Sequence, residues 1–457
     1  MKYDMIKFIP LGGAGEIGAS CFYLNIAGTG IILDCGMHPQ KKGLNALPDF
    51  DIIQNENIDF VLISHAHQDH LDALPFLVKK FPYIQIFTTP QTRAVAEKTL
   101  HNTISILREQ IQDDEYQLYS HEEIDLLIQS IQYKSYEENF SLRGYKHQSK
   151  SEINISFHDA GHIIGSAGIL IEHDGQKIFY TGDINLQKQS LLAGAYLPKQ
   201  KIDVLITEST YGSTDSSKIL DWNKEANRLA KSMNNIFNDN GSVLIPVFAL
   251  GKMQEMLSLI YKMMTNKKIP QVEIFTGGIA NKISRIYDYN RFVVNVNNSN
   301  FELSEIPQRN YFEVENYNEF FRSPCVVLAS SGMIIERTAS YKFAKRWLQE
   351  SKSAIFTVGY MDSQTPGYRI ANAQKGMKIK LTEMSEEEKV KCEIKQFRFS
   401  AHSKREDLLQ IVELLNPSTV ILVHGDVPAI DWMGANILKQ NPAVKLFVAE
   451  KGREIIF

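Results

Sequence analysis

The sequence predicts an α/β protein in two parts, a strand-rich domain interrupted by a parallel, doubly wound α/β unit. Three observations predict it. At 457 residues the chain exceeds the roughly 100–200 residues of one ordinary domain. Short strands between glycine turns fill its first part, whereas from about residue 220 continuous apolar strands alternate with helices, as in a sheet covered on both faces. The segment after about residue 395 carries polar residues that the first part's candidate site needs, so the middle reads as an insertion.

Residues 1 to about 70 set apolar runs (MIKFIP, SCFYLNI, GIILDCG, DFVLISH) between turns, which is strand spacing. From 71 to 135 the apolar positions of ALPFLVKKF, TRAVAEKTLHNTISILREQ and HEEIDLLIQSI recur at three and four residues, predicting helices. Strands return as INISFHD, AGILIEHDGQKIFYTGD and DVLITEST, with His173, Asp174 and Gly175 as a hairpin turn. The middle alternates helix and strand through WNKEANRLAKSMNNIFN, GSVLIPV, QEMLSLIYKMM, VEIFTG, CVVLASSGM, RTASYKFAKRWLQE and SAIFTVGY. The last stretch gives QFRFSAH, the helix EDLLQIVELL, the strand TVILVHG, another helix and the strand LFVAE.

Composition excludes several classes. Lys plus Arg is 49 and Asp plus Glu 53, a net charge of −4, and 44% of residues are hydrophobic. This is neither a disordered chain nor a globally basic binder of nucleic acid. No run of apolar residues is long enough to span a membrane, and the first residues lack the pattern of a secretory signal, so a soluble, cytoplasmic protein is expected. Four cysteines (Cys21, Cys35, Cys325, Cys392) without a CxxC pair form neither a disulfide framework nor a thiolate metal site. Any metal must be held by His and carboxylate.

The segment SHAHQDH, residues 64–70, directly follows the apolar strand DFVLI. A strand's period of two sends His65 and His67 to one side, and Asp69 and His70 follow where the chain turns into a helix. A lone His is usually a satisfied surface or core residue, but here three of twelve histidines fall within six positions beside an Asp. Imidazole and carboxylate without thiolate suit Zn, or Mn and Fe in related geometries. Further polar residues end other strands: His162, Asp183, Glu208 and His424. Ends of strands are rigid supports for a site.

The order Asp34 in ILDCG, HAHQDH at 65–70, His162 in AGHIIGSAG, Asp183 in YTGD and His424 in LVHGD resembles the metallo-β-lactamase superfamily. Glu208 in TEST, the segments PVFALGKMQE and ASSGM, and His402 in FSAH resemble its β-CASP branch of nucleases. The resemblance runs over nearly the whole chain and implies an αββα sandwich from residues 1–208 and 395–457, interrupted by a β-CASP domain at 209–394. It implies two zinc ions, Mn being an alternative, with His65, His67 and His162 on the first, Asp69, His70 and His424 on the second, and Asp183 bridging. The metals would lie in the cleft between the two domains, and the nucleophile would be metal-held hydroxide rather than a side chain, with Asp69, Glu208 and His402 as the catalytic groups. Glu208 would orient His402, the general acid for the departing ribose oxygen, and Asp34 would fix a ligand imidazole, its simpler role being a turn residue before Gly36.

Weaker signals each have a plainer role beside the functional one. Gly13, Gly15 and Gly18 spell a dinucleotide fingerprint, but a strand follows where a helix is required. Gly251 and Lys252 resemble the end of a phosphate loop, yet Pro246 and Met253 occupy positions that need Gly and Ser or Thr. Ser330 and Ser331 end a buried strand where backbone N–H groups could take an RNA phosphate, or where the chain merely caps a helix. Lys252 stands where the resembled family usually has Arg, keeping charge for substrate but losing the bidentate fork. Asp72, Glu336, Arg337 and the stretch Ser213–Asp215 depart from the family without removing a metal ligand. Arg337, Lys342, Lys345 and Arg346, and Lys375, Lys378 and Lys380, are either RNA contacts or solvated faces. His38, His101, His121, His147, His158 and His173 take structural roles.

The expected protein is a zinc-dependent ribonuclease cutting single-stranded RNA internally. Alternatives are a 5′ exoribonuclease, a nuclease that also accepts DNA, a catalytically silent paralogue that binds RNA or partners, and a small-ester hydrolase on the same fold. A complete ligand set argues against the silent paralogue. An inserted domain of about 185 residues (209–394) argues against the open cleft of a small-ester hydrolase.

Overall fold

The computed structural model describes residues 5–110, 119–145 and 152–457, so His147 lies outside the described residues. Two units emerge: residues 1–187, 194–216 and 402–457 form the first, and residues 188–193 and 217–401 the second.

Two seven-stranded sheets make the first unit. One runs in the order Ile455–Ile456, Lys7–Gly12, Cys21–Ile26, Thr29–Leu33, Phe60–Leu62, Gln85–Thr88 and Ile131–Tyr133. The other runs Lys445–Val448, Thr419–Val423, Val204–Glu208, Gln176–Tyr180, Ala167–His173, Ile153–Asp159 and Phe140–Leu142. Alternation decides which face each strand buries: in Ile153–Asp159 the residues Ile153, Ile155 and Phe157 enter the core. They meet Phe8, Phe22, Leu24 and Leu33 of the opposite sheet in one cluster. On its outer face the second sheet is covered by the helices Arg405–Leu415 and Val427–Gln440, through Leu170, Phe179, Leu408, Ile411 and Met433. Sheet on sheet with helices outside is the expected αββα sandwich.

The hairpin turn at Asp174 and Gly175 forms as expected, both residues having positive φ (46° and 83°), which two-residue hairpins require. The segment read as wholly helical, 71–135, also holds the strands Gln85–Thr88 and Ile131–Tyr133. Each is short enough that flanking helical periodicity hides it.

Six strands build the second unit's sheet, in the order Arg309–Asn310, Glu273–Thr276, Cys325–Ala329, Val243–Pro246, Ala354–Thr357 and Glu393–Gln396, every pair parallel. Among its helices are Trp222–Asn238, Lys252–Thr265, Ile279–Asn290 and Ala339–Trp347. Trp347, Phe343, Val327, Leu244 and Ile355 pack between one helix and the sheet. The return to the first unit, expected at 395, comes at 402, because Glu393–Gln396 adds a strand beside Ala354–Thr357. Residues 188–193 also join this unit, held by Glu255, whose carboxylate accepts the N–H of Leu191 (2.7 Å) and Leu192 (3.1 Å). Among the described residues no helix is long and apolar enough to cross a membrane.

Candidate metal centre

The expected site residues of the first unit converge from strand ends. His65 and His67 lie in the extended stretch after Phe60–Leu62, and Asp69 and His70 in the short helix Gln68–Leu71. His162 follows Ile153–Asp159, Asp183 follows Gln176–Tyr180, Glu208 ends its strand and His424 follows Thr419–Val423. Gly182 precedes Asp183 at φ 52°, and a Cβ there would sit 2.8 Å from the Ser64 Cβ, so the approach requires glycine.

Three sets of donors lie close enough to hold an ion: His65, His67, His162 and Asp183; Asp69, His70 and His424; and Asp183, Glu208 and His424, so Asp183 belongs to the first and the third. His67 Nδ1 lies 3.2 Å from His65 Nε2 and 3.0 Å from His162 Nε2, and Asp183 Oδ2 lies 3.6 Å from both of those Nε2 atoms. The other Asp183 oxygen, Oδ1, is 3.3 Å from His70 Nε2 and 3.2 Å from His424 Nδ1, and Asp69 Oδ2 is 3.3 Å from His424 Nε2. Ligands about 2.1 Å from a tetrahedral ion stand about 3.4 Å apart, close to these separations. His70 Nε2 and Asp183 Oδ1 are buried without a hydrogen-bond partner. Buried polar atoms require a partner, and a cation would satisfy both. The residues present therefore fit a pair of metal ions.

Electrostatics agree with that fit. Burial depresses the His65 and His67 pKa values, leaving neutral imidazoles suited to ligation. Burial acts in the same direction on His70 and His424, but Asp183 and Asp69 more than reverse it, and both rise. Burial would raise Asp69 and Asp183, yet the neighbouring histidines, His70 foremost, hold them below the usual carboxylate range. The same carboxylates that raise His70 and His424 are the ones a metal would neutralise.

Asp34 holds the His70 imidazole. Fully buried, it accepts from Ser64 N (2.6 Å), Ser64 Oγ (2.7 Å), Tyr180 OH (2.6 Å) and His70 Nδ1 (2.8 Å), which leaves the His70 Nε2 lone pair for a metal. Neither Ser64 nor Tyr180 stood out in the sequence. The inward phase of Ile178 and Tyr180 was the available signal. Asp34→Ala would strand those donors, so a loss of about 3 kcal/mol or more is expected in denaturant unfolding, with metal affinity falling roughly 10–100-fold in a chelator competition. Unchanged values in both would remove Asp34 from this role.

His402 stands beside the centre. Its Nδ1 is 3.1 Å and 3.2 Å from the Glu208 oxygens, its Nε2 is 3.9 Å from Asp183 Oδ2, and its ring centroid is 4.5 Å from that of His162. Glu208, 1% exposed, is fixed by the Ile184 N–H at 2.7 Å, whereas the His402 side chain is 21% exposed. Burial lowers the His402 pKa, but Glu208 and then Asp183 outweigh it and raise it to about 9. The exposed partner is thus the one able to meet a substrate.

The remaining candidates lie in the second unit. Lys252 is 8% exposed, donates to the Phe399 carbonyl, and has its pKa lowered to about 8 by burial. Its ammonium faces protein. After Ser330 and Ser331 the next helix begins only at Ala339, so these serines occupy a turn: Ser331 Oγ accepts the Ile335 N–H at 3.0 Å and the Ser330 carbonyl accepts the Ser340 N–H at 2.9 Å. Lys345, Arg346 and Lys378 pair with Glu388, Glu350 and Glu387.

Comparison with known proteins adds independent findings. Residues 23–210 match the family model of a metallo-beta-lactamase superfamily domain, 253–370 that of the Beta-Casp domain, and 387–447 that of a Zn-dependent metallo-hydrolase RNA specificity domain. The chain is similar to cleavage and polyadenylation specificity factor subunit 3 of Dictyostelium discoideum, 31% identical over 99% of this chain and 57% of that protein. It is similar to Integrator complex subunit 11 of Danio rerio (29%, 98% and 73%) and to endoribonuclease ysh1 of Schizosaccharomyces pombe (30%, 93% and 54%). The chain therefore spans less than two thirds of the length of two of these three relatives. A crystal structure of a protein of unknown function from Enterococcus faecalis V583 shares the fold, with a TM-score of 0.56 at 13% identity over 99% of this chain and 100% of the other.

Proposed function

Because this chain belongs to the β-CASP branch of the metallo-β-lactamase superfamily, we propose that it is a metal-dependent ribonuclease that hydrolyses phosphodiester bonds within single-stranded RNA. The observation that carries this reading is the division of Asp183, one oxygen toward each donor group. His65, His67, His162 and Asp183 would hold one zinc ion, and Asp69, His70, His424 and Asp183 the second. When bound, the metal pair supplies an activated water and neutralises charge on the reacting phosphate.

The side chains do the rest. Asp34 and Ser64 fix the tautomers of His70 and His65, so that the correct nitrogen of each faces inward. Glu208 accepts a hydrogen bond from the His402 Nδ1–H and, with Asp183, favours the imidazolium, which also carries an N–H at Nε2. That Nε2 would hand its proton to the departing ribose oxygen. The RNA specificity description of residues 387–447, a segment that contains His402 and His424, supports RNA as the substrate.

The test is a denaturing-gel time course on 5′-labelled unstructured RNA and on matched DNA, with the protein zinc-loaded, chelator-treated, and reloaded with zinc or manganese. Internal RNA fragments that vanish with chelator and return on reloading are expected. Mononucleotides from the 5′ end would replace internal cutting by the exonuclease reading. Intact RNA with both ions demonstrably bound would overturn the enzyme reading in favour of a silent binder.

A further inference from the structure

The second unit carries a cationic cavity that the metal centre does not use. It has a volume of about 380 Å³ and lies among the helices Trp222–Asn238 and Lys252–Thr265 and the segment 188–190. Lys188, Lys262 and Lys268 line it, and no Asp or Glu does. In a chain with net charge −4, three lysines on one small cavity whose lining holds no carboxylate concentrate positive charge locally, with Glu255 the acid that acts on Lys262. The basic residues elsewhere that are paired with glutamates contrast with it.

Nearby acids are turned to other work. Asp221 caps its own helix by accepting the Lys224 N–H at 2.9 Å, and Glu255 is occupied by the Leu191 and Leu192 N–H groups. The lysines keep protons to spare: Lys262 Nζ donates to the Ser190 carbonyl at 2.6 Å and to Ser190 Oγ at 3.4 Å, two acceptors for three protons, and Lys268 Nζ to Asn227 Oδ1 at 2.9 Å. Burial lowers the Lys262 pKa, a cost that a bound anion would offset. One wall is the half-buried Trp222, whose ring is braced edge-on by Phe399 at 4.9 Å, and Leu259 and Met263 add apolar surface.

We propose that this cavity binds one nucleotide unit of a single-stranded RNA, the base against Trp222 and the phosphate among Lys188, Lys262 and Lys268. Phosphate beside an aromatic platform is how sequence-tolerant single-strand sites are built. The assignment rests on the RNA reading above. It adds a contact for the strand that the catalytic residues do not supply.

Binding is to be read by fluorescence anisotropy of a labelled oligouridylate of about 20 nucleotides, longer than the roughly 4–16 nucleotides of a single-strand site. The protein is the full chain, zinc-loaded and carrying His402→Ala to slow cutting. Adding Lys188→Gln and Lys268→Gln should weaken binding about tenfold and flatten the dependence of log Kd on log salt by about 0.7, the contribution of one neutralised phosphate. Trp222→Leu should weaken it about tenfold while retaining the thermal midpoint. As a control for bulk charge, Lys231→Gln with Lys267→Gln, exposed lysines outside the cavity, should leave affinity unchanged.

Equal affinity in the cavity variants, or an equal loss in the control, would overturn the site. No affinity of the unmodified cavity for the oligouridylate would instead indict the RNA reading. If uridine 5′-monophosphate alone raises the melting temperature of the parent but not of the cavity variants, and strand affinity is the same in both, the site takes free nucleotides and the strand assignment fails.

Discussion

Asp183→Asn is expected to abolish RNA cleavage, lowering kcat/KM by on the order of 10⁴-fold or more, the scale seen when one member of a catalytic unit is removed. The same substitution should reduce bound zinc below two equivalents per chain in elemental analysis. Both effects follow from one geometry: Oδ2 faces His65 and His162 while Oδ1 faces His70 and His424. An amide keeps the shape but loses the charge and turns an N–H₂ toward one donor group. Combining Asp183→Asn with His65→Ala should cost little more than Asp183→Asn alone, because groups acting as a unit are not additive. A variant that keeps both ions and cuts at near the parental rate would refute the shared-carboxylate arrangement.

His402→Ala should lower kcat by about 10²–10⁴-fold, the usual contribution of a positioned acid, while metal content and melting temperature stay at the parental values. The His402 ring packs beside that of His162, with centroids 4.5 Å apart, but its hydrogen bond goes to Glu208, so its loss removes none of the proposed metal donors. The decisive readout is a substrate whose departing oxygen is replaced by sulfur. Sulfur leaves without a proton, so the defect should largely disappear on it. A defect of equal size on both substrates would make His402 a positioning residue and not the proton donor.

Much of the candidate centre was legible because its residues sit at strand ends, where a polar residue interrupts an apolar run: His162, Asp183, Glu208 and His424 each follow or end such a run. The division of Asp183 between two donor groups was not legible from periodicity, which tells which side of a strand a residue takes but not which distant strand lies beside it. Asp34 read equally well as a turn residue, and only the buried Tyr180 and Ser64 show it to be a hub. The boundary at 395 misled because Glu393–Gln396 lies at a sheet edge and is only partly buried, with two charges in four residues. The hairpin of Lys378–Lys380 with Glu387–Lys389 left no trace for the same reason, its strands being mostly charged and lacking apolar alternation.

The turn that carries Asp69 and His70 is stitched to the rest of its unit by main chain. Ser20 N donates to the Asp69 carbonyl (2.9 Å), Cys35 N to His70 (2.8 Å) and Met37 N to Gln68 (2.9 Å), and a Cβ on Gly36 would fall 1.8 Å from the Asp69 carbonyl. Main-chain donors are supplied by any residue except proline. Mutational tolerance around this turn should therefore be sharply uneven: Ser20, Cys35 and Met37 can vary as far as their own packing allows, while position 36 accepts nothing larger than hydrogen. A library randomised over these four sites would recover diversity at three and a single residue at the fourth, and that residue keeps Asp69 and His70 in place without being a candidate ligand itself.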